Sequence, residues 1–291
     1  MTDDPFVAHR SLLFTVAYEM LGSAADAEDV VQESWLRWAN LGAARGDVRD
    51  PRAYLVRIVA RQALNRLRTM ARQREEYVGE WLPEPLLTSP DVAEDVELAE
   101  SVSFAMLTVL ETLGPTERAV FVLREVFETP YDEIAEAVEK APAAVRQIAH
   151  RAREHVAARR PRVQVSRAEQ EAVVERFLDA VRGGDLPGLL DVLAKDVVVV
   201  ADGGGVVPAV KRPVEGAKRV SQLFGLFGKS VVDFEATPMV LNGAPAARFE
   251  IDGELAAVVN MVIEGGRITR IYAVNNPHKL ARLDEEAELS R

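Results

Sequence analysis

The sequence predicts a multidomain protein with two small all-α domains followed by an α+β domain on an antiparallel sheet. Three observations predict it. Apolar residues recur three and four apart through most of the first 160 positions, the spacing of one helix face. Prolines and acids between Tyr77 and Asp95 interrupt that pattern and mark a connector. Towards the C-terminus strand-like runs are separated by Asn242-Gly243, Asp252-Gly253 and Gly265-Gly266, the residues of tight hairpin turns. With 291 residues and 48% hydrophobic content, the chain can bury two or three cores.

The elements follow in order. Phe6 to Leu21 reads as one helix ended by Gly22-Ser23. A second runs from about Ala24 to Ala39, with Asp26, Glu28 and Asp29 in its first turns, where the helix dipole favours negative charge. Val30, Val31, Ser34, Trp35 and Trp38 supply its inner side. Asp29, Gln32, Glu33 and Arg37 form a polar rim, either plain solvent surface or a protein-docking edge. The loop Leu41–Arg49, which carries Arg45, leads to the stretch that dominates the first domain, Asp50 to Arg74. Asp50 is placed to cap this helix and Pro51 to start it. Val56, Val59, Ala60, Ala63, Leu64 and Leu67 make its apolar stripe. Arg57, Arg61, Asn65, Arg68 and Arg72 share another face, with Arg52 near its start. Within that stretch the face has no acids at i±4, and its donors are Arg, the geometry suited to phosphates and base edges. Such a helix selects a polyanion. Tyr54 is the one aromatic near it that can stack on an unpaired base; a core tyrosine under the loop is the alternative.

The connector holds the motif WLPEPL, with Trp81, Leu82, Pro83 and Leu86. A free tether has little use for these apolar groups, so they are expected to dock. The helical pattern returns with Leu98–Leu113, a helix from Pro115, the short acidic helix YDEIAEAV and, after Glu139-Lys140-Ala141, a basic helix from Pro142. On that last helix Arg146, Gln147, His150, Arg151 and Arg153 face outward. Acidic helix, tight turn and basic helix make a helix-turn-helix pattern, whose second helix enters the major groove, or else an ordinary αα-hairpin.

The net charge of −11 argues against an indiscriminate polyanion binder, but the charge is unevenly placed. Nine Arg between Arg45 and Arg74 and seven basic residues between Lys140 and Arg162 flank sixteen acids between Glu75 and Glu136. Two basic islands around an acidic stretch suggest two nucleic-acid contacts. The absence of cysteine excludes disulfides and thiolate metal sites and fits a reducing cytoplasm. No apolar run reaches membrane-spanning length. A cytoplasmic protein without membrane, metal or cofactor is expected.

After a basic joint at Arg159–Arg162, Arg167–Val181 and Leu186–Leu193 read as helices. DVVVVAD, the turn Gly203-Gly204-Gly205, a strand in VVPAVKRPV, a helix at Glu215–Gly228 and four strands follow. The expected domains are residues 1–74, a linker 75–97, residues 98–160 and residues 166–283.

DAEDVVQESWLRW with DPRAYLVRIVARQALNRLR resembles region two of the extracytoplasmic-function sigma factors of bacterial RNA polymerase. LGPTERAVFVLREV with YDEIAEAVEKAPAAVRQIAHRARE resembles their region four, and the last third resembles the SnoaL-like cone fold. Three short motifs resemble the subgroup carrying this extension: WLPEPL; Asp202-Gly203-Gly204-Gly205, followed by Val206 where a lysine is expected; and Asn276-Pro277-His278-Lys279-Leu280, with His278 in place of aspartate. The resemblance implies a sigma factor that guides the polymerase core, through its β and β′ subunits, to promoter DNA. It implies core binding by Asp29, Gln32, Glu33 and Arg37. It implies minus-ten binding by the loop and the Arg helix, through Arg45, Arg52, Tyr54, Arg57, Arg61, Asn65 and Arg68. It implies minus-thirty-five reading by Arg146, Gln147, His150, Arg151 and Arg153. The cone would regulate in cis, in place of a separate anti-sigma factor. Trp81, Leu82, Pro83 and Leu86 would then dock near Asp202–Gly205 and the tail around Asn276, Pro277 and Lys279. Cone folds often hold an apolar pocket, so a small-molecule ligand is a further candidate partner. Asp202, Asp233, Tyr272 and His278 are the candidate acid–base groups of this domain, but nothing in the sequence gathers them, and no catalytic residue is assigned. The rival is a helix-turn-helix regulator fused to a ligand-sensing or cyclase-like cone.

Overall fold

The computed structural model describes residues 4–75, 77–160, 166–230 and 233–291; Arg162 of the basic joint lies outside them. In the helical half, α1 (Pro5–Ala8) and α2 (Arg10–Leu21) are separated at His9, where one helix was expected. Ser23 caps α3 (Ala24–Asn40) by accepting from Asp26 N at 3.2 Å. A single 3₁₀ segment, Gly42–Asp47, carries the chain to α4 (Pro51–Glu75). Asp50 starts α4, its carboxylate accepting from Ala53 N at 3.0 Å. The apolar stripe of α4 is buried against α2 and α3.

The linker is structured. Leu87–Thr88 forms strand β1 and Pro90–Glu94 helix α5, followed by α6 (Val96–Ser101) and α7 (Phe104–Leu110). The helix expected across Leu98–Leu113 breaks at Val102-Ser103, because Ser103 caps α7 through Met106 N at 3.2 Å. Then come α8 (Pro115–Phe121), extended by a π-type turn at Val122–Val126, α9 (Tyr131–Val138) and α10 (Pro142–Ala157). The tight turn between α9 and α10 has no glycine. Glu139 adopts the left-handed conformation there, at φ 56°. Buried side chains of both helical domains form one continuous cluster, so α2 is buried on nearly every side from Leu12 to Leu21.

The third domain comprises α11 (Arg167–Gly183), α12 (Leu186–Val192), β2 (Leu193–Asp202), β3 (Val214–Glu215), α13 (Ala217–Ser230), β4 (Phe234–Leu241), β5 (Ala244–Ile251), β6 (Glu254–Glu264), β7 (Arg267–Val274), α14 (Pro277–Leu280) and β8 (Glu286–Ala287). Only the end of VVPAVKRPV is strand. Two prolines, which cannot donate to a ladder, precede the Val214–Glu215 pairing with β2. The four-strand meander is β4 to β7, joined at the three expected turns with positive φ at each turn residue. Outside it, β2 pairs with β7 and β1 with β8 in parallel, giving a mixed sheet ordered β3-β2-β7-β6-β5-β4-β1-β8. Along β6, Ala257, Val259 and Ile263 face the core under α11 and α13. Val258 and Val262 face the other side, with Leu82 and Phe104 from the helical half.

Candidate nucleic-acid and polymerase interfaces and the clamp between them

On α3, Gln32, Glu33 and Arg37 are exposed on one face, and Asp29 shares it while pairing with Arg66 of α4 at 3.3 Å. Leu36, 56% exposed, lies on the same face and was missed by sequence reasoning. A leucine in helical register normally signals the inner side; its offset from Val30, Val31 and Trp38 was the available sign.

On α4, Arg52, Arg61, Asn65 and Arg68 are exposed and Arg57 is half-buried. Tyr54 packs against the core 6.0 Å from Trp38, with the Arg57 guanidinium 5.5 Å over its ring. Arg45 is tied into its own domain: it pairs with Asp4 at 3.1 Å and donates to Trp38 O at 2.8 Å. The cationic face has no acid at i±4 within its own helix, but it does have acidic partners. Glu136 of α9 pairs with Arg57, and Glu139 pairs with Arg61. These acids lie in the other helical domain, where helical periodicity cannot see them. On α10, Arg146, Gln147, His150, Arg151 and Arg153 are all exposed on one side. Arg153 lies 3.5 Å from Glu125, His150 3.6 Å from Glu154, and the Arg146 guanidinium 5.6 Å from the Tyr131 ring.

The linker motif is gripped from two sides. On the cone side, Asp202 ends β2 fully buried. Its carboxylate accepts from Leu82 N at 2.9 Å, Gly204 N at 3.0 Å, the Tyr77 hydroxyl and the Lys279 ammonium at 2.7 Å. Lys279 also donates to Leu82 O and lies 3.4 Å over the Trp81 ring centroid. Burial pulls the Lys279 pKa down, and Asp202 opposes that pull. Burial, with Asp202 beside it, pushes the Tyr77 hydroxyl up. Asn276 donates to the Tyr77 hydroxyl at 2.9 Å and caps α14 through His278 N. The glycines keep this packing close: a Cβ on Gly204 would fall 2.5 Å from the Asn276 amide. Pro277 and His278 are exposed, and Val206, where a lysine was expected, is 59% exposed. The clamp cation is Lys279.

On the helical side, Glu84 is buried and accepts from Ser23 Oγ at 3.0 Å and Ala24 N at 2.8 Å, at the start of α3. Its carbonyl accepts from the Tyr18 hydroxyl at 2.7 Å. Asn242, in the β4–β5 turn, donates to that same hydroxyl at 2.7 Å and to Val102 O, and accepts from Leu86 N. Pro83 and Leu86 are buried in this sandwich. Glu111 joins the helical domains by pairing with Arg74 and with the buried Arg118, at 2.6 Å. Sequence reasoning missed Tyr18, Tyr77, Glu84, Glu111, Arg118 and Asn242. Only Glu84, a lone acid inside an apolar motif, carried a sign.

The four acid–base candidates do not converge. Asp202 is in the clamp, Tyr272 lies on the outer sheet face, and Asp233 and His278 are exposed, Asp233 in a turn. Among the described residues no group of three His, Asp or Glu is placed to hold a metal ion, and no helix is long and apolar enough to cross a membrane.

The family model for Sigma-70 region 2 matches residues 6–73, and that for Sigma-70 region 4 matches residues 103–156. The ECF RNA polymerase sigma factor SigJ of Mycobacterium tuberculosis is 35% identical, over 94% of this chain and 91% of that protein. The chain is an extracytoplasmic-function RNA polymerase sigma factor. The probable ECF RNA polymerase sigma factor SigI of M. tuberculosis is also 35% identical to it, over 96% of this chain and 94% of that protein. The crystal structure of M. tuberculosis SigJ superposes with a TM-score of 0.73 at 33% identity, covering 95% of this chain and 97% of the other. As a sigma factor, this protein directs transcription initiation, and its family's partners are RNA polymerase core and promoter DNA. The rival fusion of an ordinary regulator to a cone is thereby set aside.

Proposed function

We propose that this sigma factor is restrained in cis by its cone domain, which holds the two DNA-reading regions in a closed arrangement through the linker. The supporting observation is the buried Asp202–Lys279 pair closing over Leu82 and Trp81. Within this reading, Asp29, Gln32, Glu33, Leu36 and Arg37 dock on the β and β′ subunits of core. Arg52, Arg57, Arg61, Asn65 and Arg68 hold the melted minus-ten strand. Arg146, Gln147, His150, Arg151 and Arg153 read the minus-thirty-five element, where Arg suits guanine or phosphate and Gln suits adenine. Arg45 and Tyr54 support the fold of region two in the closed state. The two promoter elements lie about 25 base pairs apart, roughly 85 Å of duplex at 3.4 Å per pair. Helix α9 packs directly on α4 and pairs with Arg57 and Arg61, so the regions must separate before both elements are engaged. The restraint takes the place of a separate anti-sigma factor, works in the cytoplasm and needs no catalysis by the cone.

The test is run-off transcription with core polymerase on the protein's own upstream DNA. Trp81→Ala, which touches neither DNA-reading face, is expected to raise the yield at limiting sigma factor while regions two and four melt as in wild type. An unchanged yield would remove the cis restraint and leave the family assignment untouched.

A further inference from the structure

A cavity of about 430 Å³ lies where the region-four helices meet the outer face of the cone sheet. It is distinct from the inside of the cone. Asn260 and Val262, which line it, alternate along β6 with the side chains that point under α11 and α13. Phe104 and Met106 of α7 form one wall, and Pro245, Asn260, Val262 and Tyr272 the other. Its size falls within the range of small-molecule sites, about 300–1,000 Å³.

Asn260 sets the chemistry. It is 4% exposed, and its side-chain nitrogen is buried without a hydrogen-bond partner. Folded proteins retain few such donors, because an unmet buried amide loses its hydration for nothing in return. The charged residues at the cavity are already matched, Arg160 with Glu100 and Arg167 with Glu171. The lining therefore offers one buried, unmet amide donor in apolar surroundings and no free countercharge for an anion. We propose that this cavity binds a small, uncharged apolar molecule that presents a carbonyl oxygen to Asn260. An occupant touching both walls binds the docked state alone and favours it by mass action. That last consequence rests on the cis restraint proposed above; binding does not.

The experiment uses full-length protein carrying ¹³C-methyl methionine; its six methionines include Met106 at the cavity, Met261 on the inner face of β6, and Met20 and Met70 in region two. Three probes share one apolar body: 4-phenyl-2-butanone with a neutral carbonyl, butylbenzene with none, and 4-phenylbutanoate with an anion. The ketone is expected to shift Met106 at millimolar concentration, leave Met20 and Met70 in place, and bind at least fivefold tighter than the other two. Asn260→Leu should abolish the preference for the ketone over butylbenzene, and Ala105→Trp, which fills the cavity from α7, should abolish the Met106 shift, with Met20 and Met70 reporting that each variant is folded. Absence of shifts, a shift of Met261 without Met106, or tighter binding of the anion would each overturn the proposal. Shifts as expected with run-off transcription unmoved by the ketone would retain the site and count against the cis restraint alone.

Discussion

Glu19 is fully buried on α2, and burial pushes its carboxyl up to about 8, against a Ser101 hydrogen bond and the charges of Arg118 and Arg291. The folded protein keeps a proton there that the unfolded chain releases near 4.5. The contribution of Glu19 to stability is therefore present below about 4.5 and is lost as pH rises towards 8. Glu19→Gln is expected to melt close to wild type at pH 5 and progressively above it towards pH 8, as followed by thermal melts across that window. At the clamp, Lys279→Met leaves Asp202 buried without its countercharge, a loss of about 3–5 kcal/mol for one partner of a buried pair. With Trp35 and Trp38 replaced by Phe, Trp81 emission should shift to the red in that variant; unchanged emission would mean that the ion pair does not hold the linker. The sequence located several of these residues but not the individual partners of their side chains. Asn242 was legible as a turn former, since Asn-Gly tolerates positive φ. Its amide contacts with Tyr18 and Leu86 were not, because those partners lie 224 and 156 positions away.

Among helices, α4 was legible almost to its ends, because its apolar stripe, capping Asp50 and Pro51 are all local signals. Strand β1 was not, since two residues are too few to show an alternation, and Leu87 pairs only through Leu241 and Glu286. The cationic face of α4 was legible, and its occupancy by α9 was not. That occupancy gives a direct test. Glu136→Gln with Glu139→Gln frees Arg57 and Arg61. Exposed pairs of about 0.2–1 kcal/mol each translate into roughly 2- to 30-fold tighter binding of a single-stranded minus-ten oligonucleotide by the free protein. Fluorescence anisotropy measures it, and the gain should shrink with added salt. On α3, Asp29→Lys with Glu33→Lys is expected to abolish co-purification with core while the melt stays near wild type, since both carboxylates are exposed; retained core would make that rim plain solvent surface.

The three domains were legible as separate patterns, and the packing of the two helical domains into one body was not. Region two and region four share a hydrophobic cluster, with Glu111 bridging Arg74 and Arg118 between them. Sequence periodicity reports which face of a helix is buried and is silent on which domain buries it; the broad apolar coverage of α2 was the only trace. Opening is measurable because the chain has no cysteine. A dye pair on single cysteines introduced at the exposed Arg49 and Ala158 should show high transfer in free protein and a large loss when core and promoter are added. Unaltered transfer in a complex that initiates transcription would rule out separation of the two regions.

Strand β1 sits between β4 and β8, so the linker is flanked by segments that lie about 150 and 200 positions further along the chain. At about 5–20 residues per second, the ribosome delivers β8 roughly 10–40 s after β1. Until β4 and then Lys279 are made, late in that interval, Trp81, Leu82 and Leu86 have no complete sheet and ion pair to hold them. If the cone restrains the chain in cis as proposed, the newborn protein passes through a stage in which both DNA-reading regions are complete and the restraint is not. Closure would then be set by the clock of translation, and a pause between codons 88 and 286 would lengthen the time the nascent chain spends unrestrained.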